Sequence, residues 1–78
     1  MATYTIYNPK SSNNFTSKKM TADRAIEAIE SEAELMVLNG WEMLQELTHY
    51  PSQHRYGIRM AKMEGDQIIE RCHLFVTL

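Results

Sequence analysis

The residues most suited to catalysis or metal binding are one cysteine and three histidines. Cys72 and His73 are neighbours, and a thiolate beside an imidazole is a pairing used in nucleophilic catalysis. Residues 68–78 have the alternating pattern of a strand, and adjacent strand residues point to opposite faces, so the two side chains cannot form a dyad there. We therefore expect Cys72 to fill space in the core. The sequence predicts that the protein is not an enzyme.

The other histidines and the glycines give little support for a metal or phosphate site. His49 and His54 flank the turn at Pro51, but no thiolate or carboxylate stands at a spacing suited to zinc, so we interpret both as solvated turn residues. The three glycines lie far apart in the chain and cannot form a phosphate-binding loop. We predict no metal and no cofactor.

One set of acidic residues is spaced for a common face of a helix. The members stand at i, i+4, i+7 and i+11, and we call them the acidic stripe: Asp23, Glu27, Glu30 and Glu34. We expect the stripe opposite the apolar face of the helix. Like charges at this spacing each destabilise a helix by a few tenths of a kcal/mol, so the stripe serves either solubility or a basic partner. A solvated helix face is the favoured interpretation, and the functional alternative is an acidic surface that binds an arginine-lined groove which normally holds nucleic acid.

A second candidate surface follows from strand alternation. If Tyr56, Ile58 and Met60 face the helix, a group of basic and aromatic residues faces the other way. This group comprises Arg55, Arg59, Arg71, His73 and Phe75, joined by Tyr50 and Ile69. Such a face can be solvated, bind single-stranded nucleic acid, or contact protein, including a second copy of the chain. The formal charge of −2 and the absence of the glycine-phenylalanine motif of RNA-binding sheets rank protein above nucleic acid.

The elements that must position these residues are marked along the chain. "ATYTIYN" has the alternation of a strand, "PKSSNN" is a turn, and "FTSKK" is an optional short polar edge strand. Apolar residues then recur at helical spacing over residues 22–39. Thr21 is suited to cap this helix, Asp23 to its first turn and Gly40 to its termination.

Three further strands are predicted after Gly40. They are "WEMLQELTHY", "RYGIRMAKM" and "IIERCHLFVTL", joined by a turn at "YPSQH" and a tight hairpin at Glu64–Asp66. Their short connections make all three antiparallel. The order β-(β)-α-β-β-β predicts a single α+β domain over residues 1–78, with one amphipathic helix on one face of a four- or five-stranded antiparallel sheet.

Trp41, the only tryptophan, comes directly after the helix-terminating glycine. The chain must reverse there, so we expect its ring in the seam between helix and sheet, against Met36 or Val37. A partner-binding hot spot is the alternative, because interfaces are enriched in tryptophan. We favour the structural role.

The segment "LNGWEML", in which Leu38 to Met43 are the matching residues, resembles the helix-to-strand turn of a small bacterial domain of uncharacterised function. In size and layout the whole chain is similar to the small phage proteins that block host defences, anti-CRISPR proteins in particular. That resemblance implies a non-catalytic inhibitor that occupies a binding groove of a bacterial defence complex.

Composition limits the domain count and the cellular location that we expect. Seventy-eight residues with 44% hydrophobic and 23% charged residues are typical of one globular domain with a modest core. One cysteine excludes an intramolecular disulfide, and the amino terminus lacks a signal-peptide pattern, so we expect a cytoplasmic protein. No apolar stretch is long enough to span a bilayer. The two functional hypotheses are a protein-interaction module, such as a phage inhibitor, and a small nucleic-acid-binding module that uses the sheet.

Overall fold

The computed structural model describes residues 1–12 and 14–78 and has the predicted α+β architecture. The elements are β1 (Thr3–Tyr7), β2 (Phe15–Thr16), α1 (Ala22–Leu38), β3 (Trp41–Tyr50), β4 (Arg55–Glu64) and β5 (Gln67–Thr77). The sheet is antiparallel in the order β2-β1-β5-β4-β3, and α1 lies across one of its faces. Asn13, part of the predicted turn, lies outside the described residues.

The first two strands form one edge of the sheet, and the second is shorter than the predicted 15–19. The Ser17 N–H still donates to the Tyr4 carbonyl (2.8 Å), but the Tyr4 N–H donates to the Ser17 hydroxyl (2.9 Å) instead of a backbone carbonyl, so the regular ladder ends at Thr16. Pairing resumes at Met20, whose N–H and carbonyl both bond Ala2 at 2.7 Å. The segment therefore follows β1 closely while only two of its residues are regular strand.

The helix begins where its N-cap residue predicts and ends one residue before the predicted end. The Thr21 hydroxyl accepts the Arg24 N–H at 3.3 Å, which satisfies one of the free donors of the first turn. The helix stops one residue before the predicted end, because Asn39 is its C-cap and donates its side-chain amide to the Leu35 carbonyl at 2.8 Å. Gly40 follows at φ +92°, a backbone conformation that favours glycine.

The core lies between α1 and the central strands. Ala25, Ile29 and Ala33 are buried on the helix, and the sheet contributes Ile58, Met60, Cys72, Leu74 and Val76. The small alanines allow the helix to approach the sheet closely, and Ile29 fills the space between them. The predicted inward faces of β4 and of the centre of β5 are confirmed, whereas Ile68 and Leu78 at the ends of the predicted row are exposed.

Trp41 lies at the predicted seam but is only partly buried. Its side chain packs against the core cluster, as does that of Met36, whereas Val37 is exposed. The Lys62 ammonium stands 5.9 Å from the centre of the indole ring. Trp41 is therefore a boundary residue at the start of the edge strand β3.

Both predicted hairpins are present. Gly65 and Asp66 form the tight turn between β4 and β5, with Gly65 at φ +61°. Between β3 and β4 the chain makes a short 3-10 turn, Pro51–Gln53, and His54 then adopts φ 51°. The His54 carbonyl accepts the Leu78 N–H at 2.9 Å, which ties this turn to the end of the chain.

Candidate functional site

The sheet face away from the helix collects the predicted basic and aromatic residues. Directly paired residues of an antiparallel ladder point to the same side, and the registers place this set together on what we call the open face. It includes Tyr50, Arg55, Arg59, Arg71, His73 and Phe75. Ile69, the seventh predicted member, is half-buried at a β-bulge near the start of β5.

Two cross-strand rows organise the middle of the open face. The first runs Tyr7, His73, Arg59 and Gln45 across β1, β5, β4 and β3, and the second runs Thr5, Phe75, Gly57 and Thr48. Adjacent members of a row have their Cβ atoms about 4.5–5.5 Å apart, so the imidazole and the Arg59 side chain are direct neighbours.

Gly57, in the second row, is the floor of a depression of about 100 Å³. The Tyr50 ring lies close over this glycine, because a Cβ atom on Gly57 would stand 3.4 Å from Cε2 of Tyr50. The Tyr50 hydroxyl donates to Oε1 of Gln45 at 3.0 Å and fixes the ring. The remaining walls of the depression are formed by Gln53, Arg55, Arg59, His73 and Phe75.

The guanidinium of Arg55 contacts an aromatic ring but leaves one of its N–H groups without an acceptor in the described part of the chain. Its Cζ atom lies 4.3 Å from the centre of the Phe75 ring, within the range of a cation–π interaction. Its Nε atom is buried and has no hydrogen-bond partner among the described residues. A buried donor without an acceptor costs about 1–3 kcal/mol, so this N–H is the least satisfied polar group of the site.

His73 stands in an environment that favours its neutral form. Burial lowers its pKa from the ordinary 6.5, and the neighbouring Arg59 and Arg71 lower it further. The imidazole is therefore uncharged at neutral pH, with one ring nitrogen able to donate a hydrogen bond and the other able to accept one.

Cys72 lies on the other side of β5 from His73, as the alternation predicts. It is buried beneath the helix, and burial, with added repulsion from Glu32 and Glu70, raises the pKa of its thiol from 9.0 to about 11. A thiol with this pKa stays protonated at neutral pH and is a poor nucleophile. Within residues 1–12 and 14–78, no three His, Cys, Asp or Glu side chains are grouped to hold a metal ion.

The other histidines are placed by the β3–β4 hairpin. Both are exposed; His49 stacks on Tyr56 with ring centres 4.4 Å apart, and His54 follows the 3-10 turn. The stacking was not predicted, because it depends on the register of β3 against β4.

The acidic stripe is exposed on α1, but part of it does not lie opposite the apolar face, and this corrects the expectation. Glu30 and Glu34 line a groove of about 260 Å³ between the helix and β3, together with Glu46, Met43 and Leu47. Asp23 and Glu27 are exposed on the same helix. The reason is angular: the stripe is turned about a third of a circle from the buried alanines at the helical 100° per residue.

Gly57, Gln45 and Gln53 are the site residues that the sequence interpretation missed. A glycine inside the strand segment "RYGIR" is a usable signal, because a strand glycine often marks a close approach of another group. Gln45 carried no comparable signal, since the bulges of β3 disturb its alternation between Met43 and Thr48, and Gln53 lies in the 3-10 turn, where no strand alternation applies.

In the described part of the chain, α1 is neither long nor apolar enough to serve as a membrane-crossing helix. Comparison of the chain with protein-family models, curated proteins and solved structures found no match.

Proposed function

We propose that the chain is a non-catalytic protein-interaction module that contacts an acidic surface of its partner through the open face. The observation that carries this proposal is the separation of charge between the two layers. The helix bears five acidic residues and one basic residue, Arg24. The open face bears Arg55, Arg59 and Arg71, with Glu42 as a carboxylate in the row of Arg71.

Because of this separation, a molecule of small net charge has one predominantly basic side and one predominantly acidic side. Complementary potentials accelerate encounter and select orientation more than they raise affinity. An acidic partner is attracted to the sheet side and repelled by the helix side, so the open face is the side on which it docks. Arginine and aromatic side chains are also the residue types enriched at the centres of interfaces.

Binding of single-stranded nucleic acid is the second candidate, because arginines and aromatic rings are its usual contacts. The rings of the open face favour a protein partner over this role. The Arg55 guanidinium already covers one side of Phe75, and Tyr50 lies against Gly57 with its hydroxyl bonded to Gln45. Stacking of a base would have to displace one of these contacts.

An inhibitor of a bacterial defence complex is one form that such a module would take, and its support is the resemblance in size and layout to anti-CRISPR proteins. The two surfaces imply different partners for that role. The acidic stripe suits a basic groove, and the open face suits an acidic one. A second copy of the chain can also serve as partner, with the acidic helix of one molecule against the open face of the other.

The experiment compares capture of proteins from a bacterial lysate by three immobilised forms. These are the parent, an Arg59→Gln/Arg71→Gln variant of the open face, and a Glu27→Gln/Glu30→Gln/Glu34→Gln variant of the helix. All five positions are exposed, so both variants should fold like the parent. The proposal expects a partner that the parent and the helix variant retain and the open-face variant loses.

Two results contradict the proposal. Loss of the partner from the helix variant alone assigns binding to the acidic stripe. Submicromolar binding of single-stranded DNA or RNA at physiological salt, abolished in the Arg59→Gln/Arg71→Gln variant, assigns the open face to nucleic acid. Sedimentation of the purified parent over a concentration series tests self-association separately.

A further inference from the structure

We propose that the depression around Gly57 is a binding site for one phosphate monoester group. This inference rests on the proposed use of the open face and narrows the chemistry that the face recognises. The depression lies at the middle of the sheet, where β4 passes between β3 and β5.

Hydrogen-bond donors surround the depression on several sides. Arg55 and Arg59 come from β4, two residues to either side of Gly57, and His73 comes from β5 opposite Arg59. The Gln53 side chain lines the same depression from the β3–β4 turn. Donors from three separate segments suit an anion with several acceptor oxygens, because a planar carboxylate presents only two.

The buried Nε of Arg55 is the specific sign of a missing acceptor. It has no partner among the described residues although its guanidinium borders a depression large enough for an anion. Because this atom is covered, the guanidinium must turn from the Phe75 ring towards the depression for an oxygen to reach it. A bound phosphate then satisfies the Nε–H and exchanges a cation–π contact for a charge-assisted hydrogen bond.

Size and charge agree with a phosphate. A water needs about 10–15 Å³ of such volume, so a depression of about 100 Å³ has room for a single tetrahedral anion with its first waters. Among the described residues that line it, none is acidic and two are arginines. A monoester carries a charge of about −1.5 to −2 near pH 7, which matches two guanidinium groups better than a diester does.

A monoester is also favoured over the diester of a nucleic-acid backbone by Tyr50. Its ring is held by the hydrogen bond from its hydroxyl to Gln45, so it is not a free platform for a neighbouring base of an oligonucleotide. The phosphate group can come from a phosphorylated side chain of a protein partner or from inorganic phosphate, which has the same tetrahedral shape and a similar charge, and the depression would treat the two alike.

The test is a phosphate titration of ¹⁵N-labelled protein followed by NMR, because the Nε–H of each arginine gives its own signal. Inorganic phosphate should shift the Arg55 Nε–H and the Gly57 amide with a saturable curve. Sodium chloride at equal ionic strength is the control, and it should produce only small, non-saturating shifts. Linear shifts in phosphate that match those in chloride would overturn the proposal.

Two arginine-to-lysine variants locate the site, since lysine keeps the positive charge and removes the Nε–H and the planar fork. Arg55→Lys should weaken phosphate binding about tenfold, the loss expected for one charge-assisted bond, and Arg71→Lys on the same face but outside the depression should not. Parent-like phosphate binding by Arg55→Lys would show diffuse attraction by positive charge alone and reject a site. Equal weakening by both variants would show that the loss is not specific to the depression and would also reject it. Thermal melts of both variants check that the fold is retained.

The remaining arms identify the chemical class of the ligand and separate this inference from the proposed function. Phosphoserine should bind as inorganic phosphate does, while acetate and a dinucleoside phosphate diester should bind at least about fivefold more weakly. Tighter binding of the diester would reject the monoester. If phosphate fails to bind but partner capture still depends on Arg59 and Arg71, the inference falls and the proposed function stands. If phosphate binds but capture does not depend on these arginines, the proposed function falls and the inference stands.

Discussion

Substitution of Gly57 tests how the centre of the open face is built. A Cβ atom at this position would lie 3.4 Å from Cε2 of Tyr50 and 3.8 Å from the Leu74 carbonyl oxygen, which are ordinary contact distances. Alanine therefore fits without displacing the backbone. Valine adds two methyl groups beyond Cβ, and these must compete with the Tyr50 ring for the floor of the depression.

The expected changes in stability are small and partly opposed. Replacing glycine by alanine where the conformation is compatible stabilises a protein by about 0.4–1 kcal/mol through the unfolded chain. Gly57→Val gains up to about 1 kcal/mol of strand preference. It loses the hydrogen bond between Tyr50 and Gln45, worth about 0.5–1.5 kcal/mol, if the ring is displaced. We therefore expect both variants to remain within about 1 kcal/mol of the parent, and the valine variant to lose phosphate binding by at least about tenfold.

Urea denaturation and the phosphate titration together measure the two effects. Gly65→Ala is the matched control, because Gly65 has φ +61° in the β4–β5 turn and a Cβ atom there would have no neighbouring atom within 4 Å. It should lose about 1 kcal/mol from backbone strain and retain phosphate binding. Destabilisation by Gly57→Ala of more than about 2 kcal/mol would refute the geometry at Gly57. Parent-like phosphate binding by Gly57→Val would refute the role of the depression.

Further predictions concern residues away from Gly57. Trp41→Ala should lower the free energy of unfolding by about 1–3 kcal/mol, because the ring is only partly buried, and an unchanged urea midpoint would remove its structural role. Glutamine at the three glutamates of the acidic stripe should leave the melting temperature unchanged or raise it slightly, since each like-charge contact costs a few tenths of a kcal/mol. A clearly lower melting temperature would show that the carboxylates stabilise the fold. The pKa of His73 is lower in the folded state than the ordinary 6.5, so the unfolded chain takes up a proton first and stability should fall as the pH drops below 6.5. His73→Gln should reduce this fall when urea midpoints are compared at about pH 7.5 and about pH 5.5. The buried Cys72 thiol, with its pKa raised to about 11, should react with iodoacetamide in native protein only as fast as the fold opens, and rapid alkylation would contradict its burial.

The features that the sequence predicted are those determined by local patterns. Thr21 and Gly40 mark the helix because capping and left-handed backbone depend on single residues. The separation of Cys72 from His73 follows from the two-residue period of a strand, which is independent of the strand's neighbours. For the same reason, the predicted basic and aromatic members of the open face could be assigned together once β4 and β5 were recognised.

The features that the sequence left open depend on contacts between distant segments. Pairing of β1 with β5 joins the two ends of the chain, and no local pattern encodes which strands become neighbours. The edge strands of the sheet are therefore β2 and β3, and the bulges of β3 were visible only as irregular alternation. The position of the acidic stripe beside a groove was likewise missed, because it depends on how far the helix is rotated over the sheet.

The arrangement of strands also explains why the open face is the part of the molecule best suited to hold a small anion. Arg55, Arg59 and His73 stand on the two most extensively paired strands, β4 and β5, so their backbones are held by a ladder on both sides. The opposite sides of the same strands carry the fully buried Met60 and Leu74, which fix the sheet against the helix. Arg55 and His73 are half-buried on these strands, so a ligand that orders them restricts side chains that have already lost part of their freedom. The acidic residues of α1, in contrast, are long side chains at a solvated surface, and ordering them on a partner costs about 0.5–1.5 kcal/mol for each side chain. On these grounds, the open face can support specific recognition of a small group, whereas the acidic stripe is better suited to long-range orientation of the molecule.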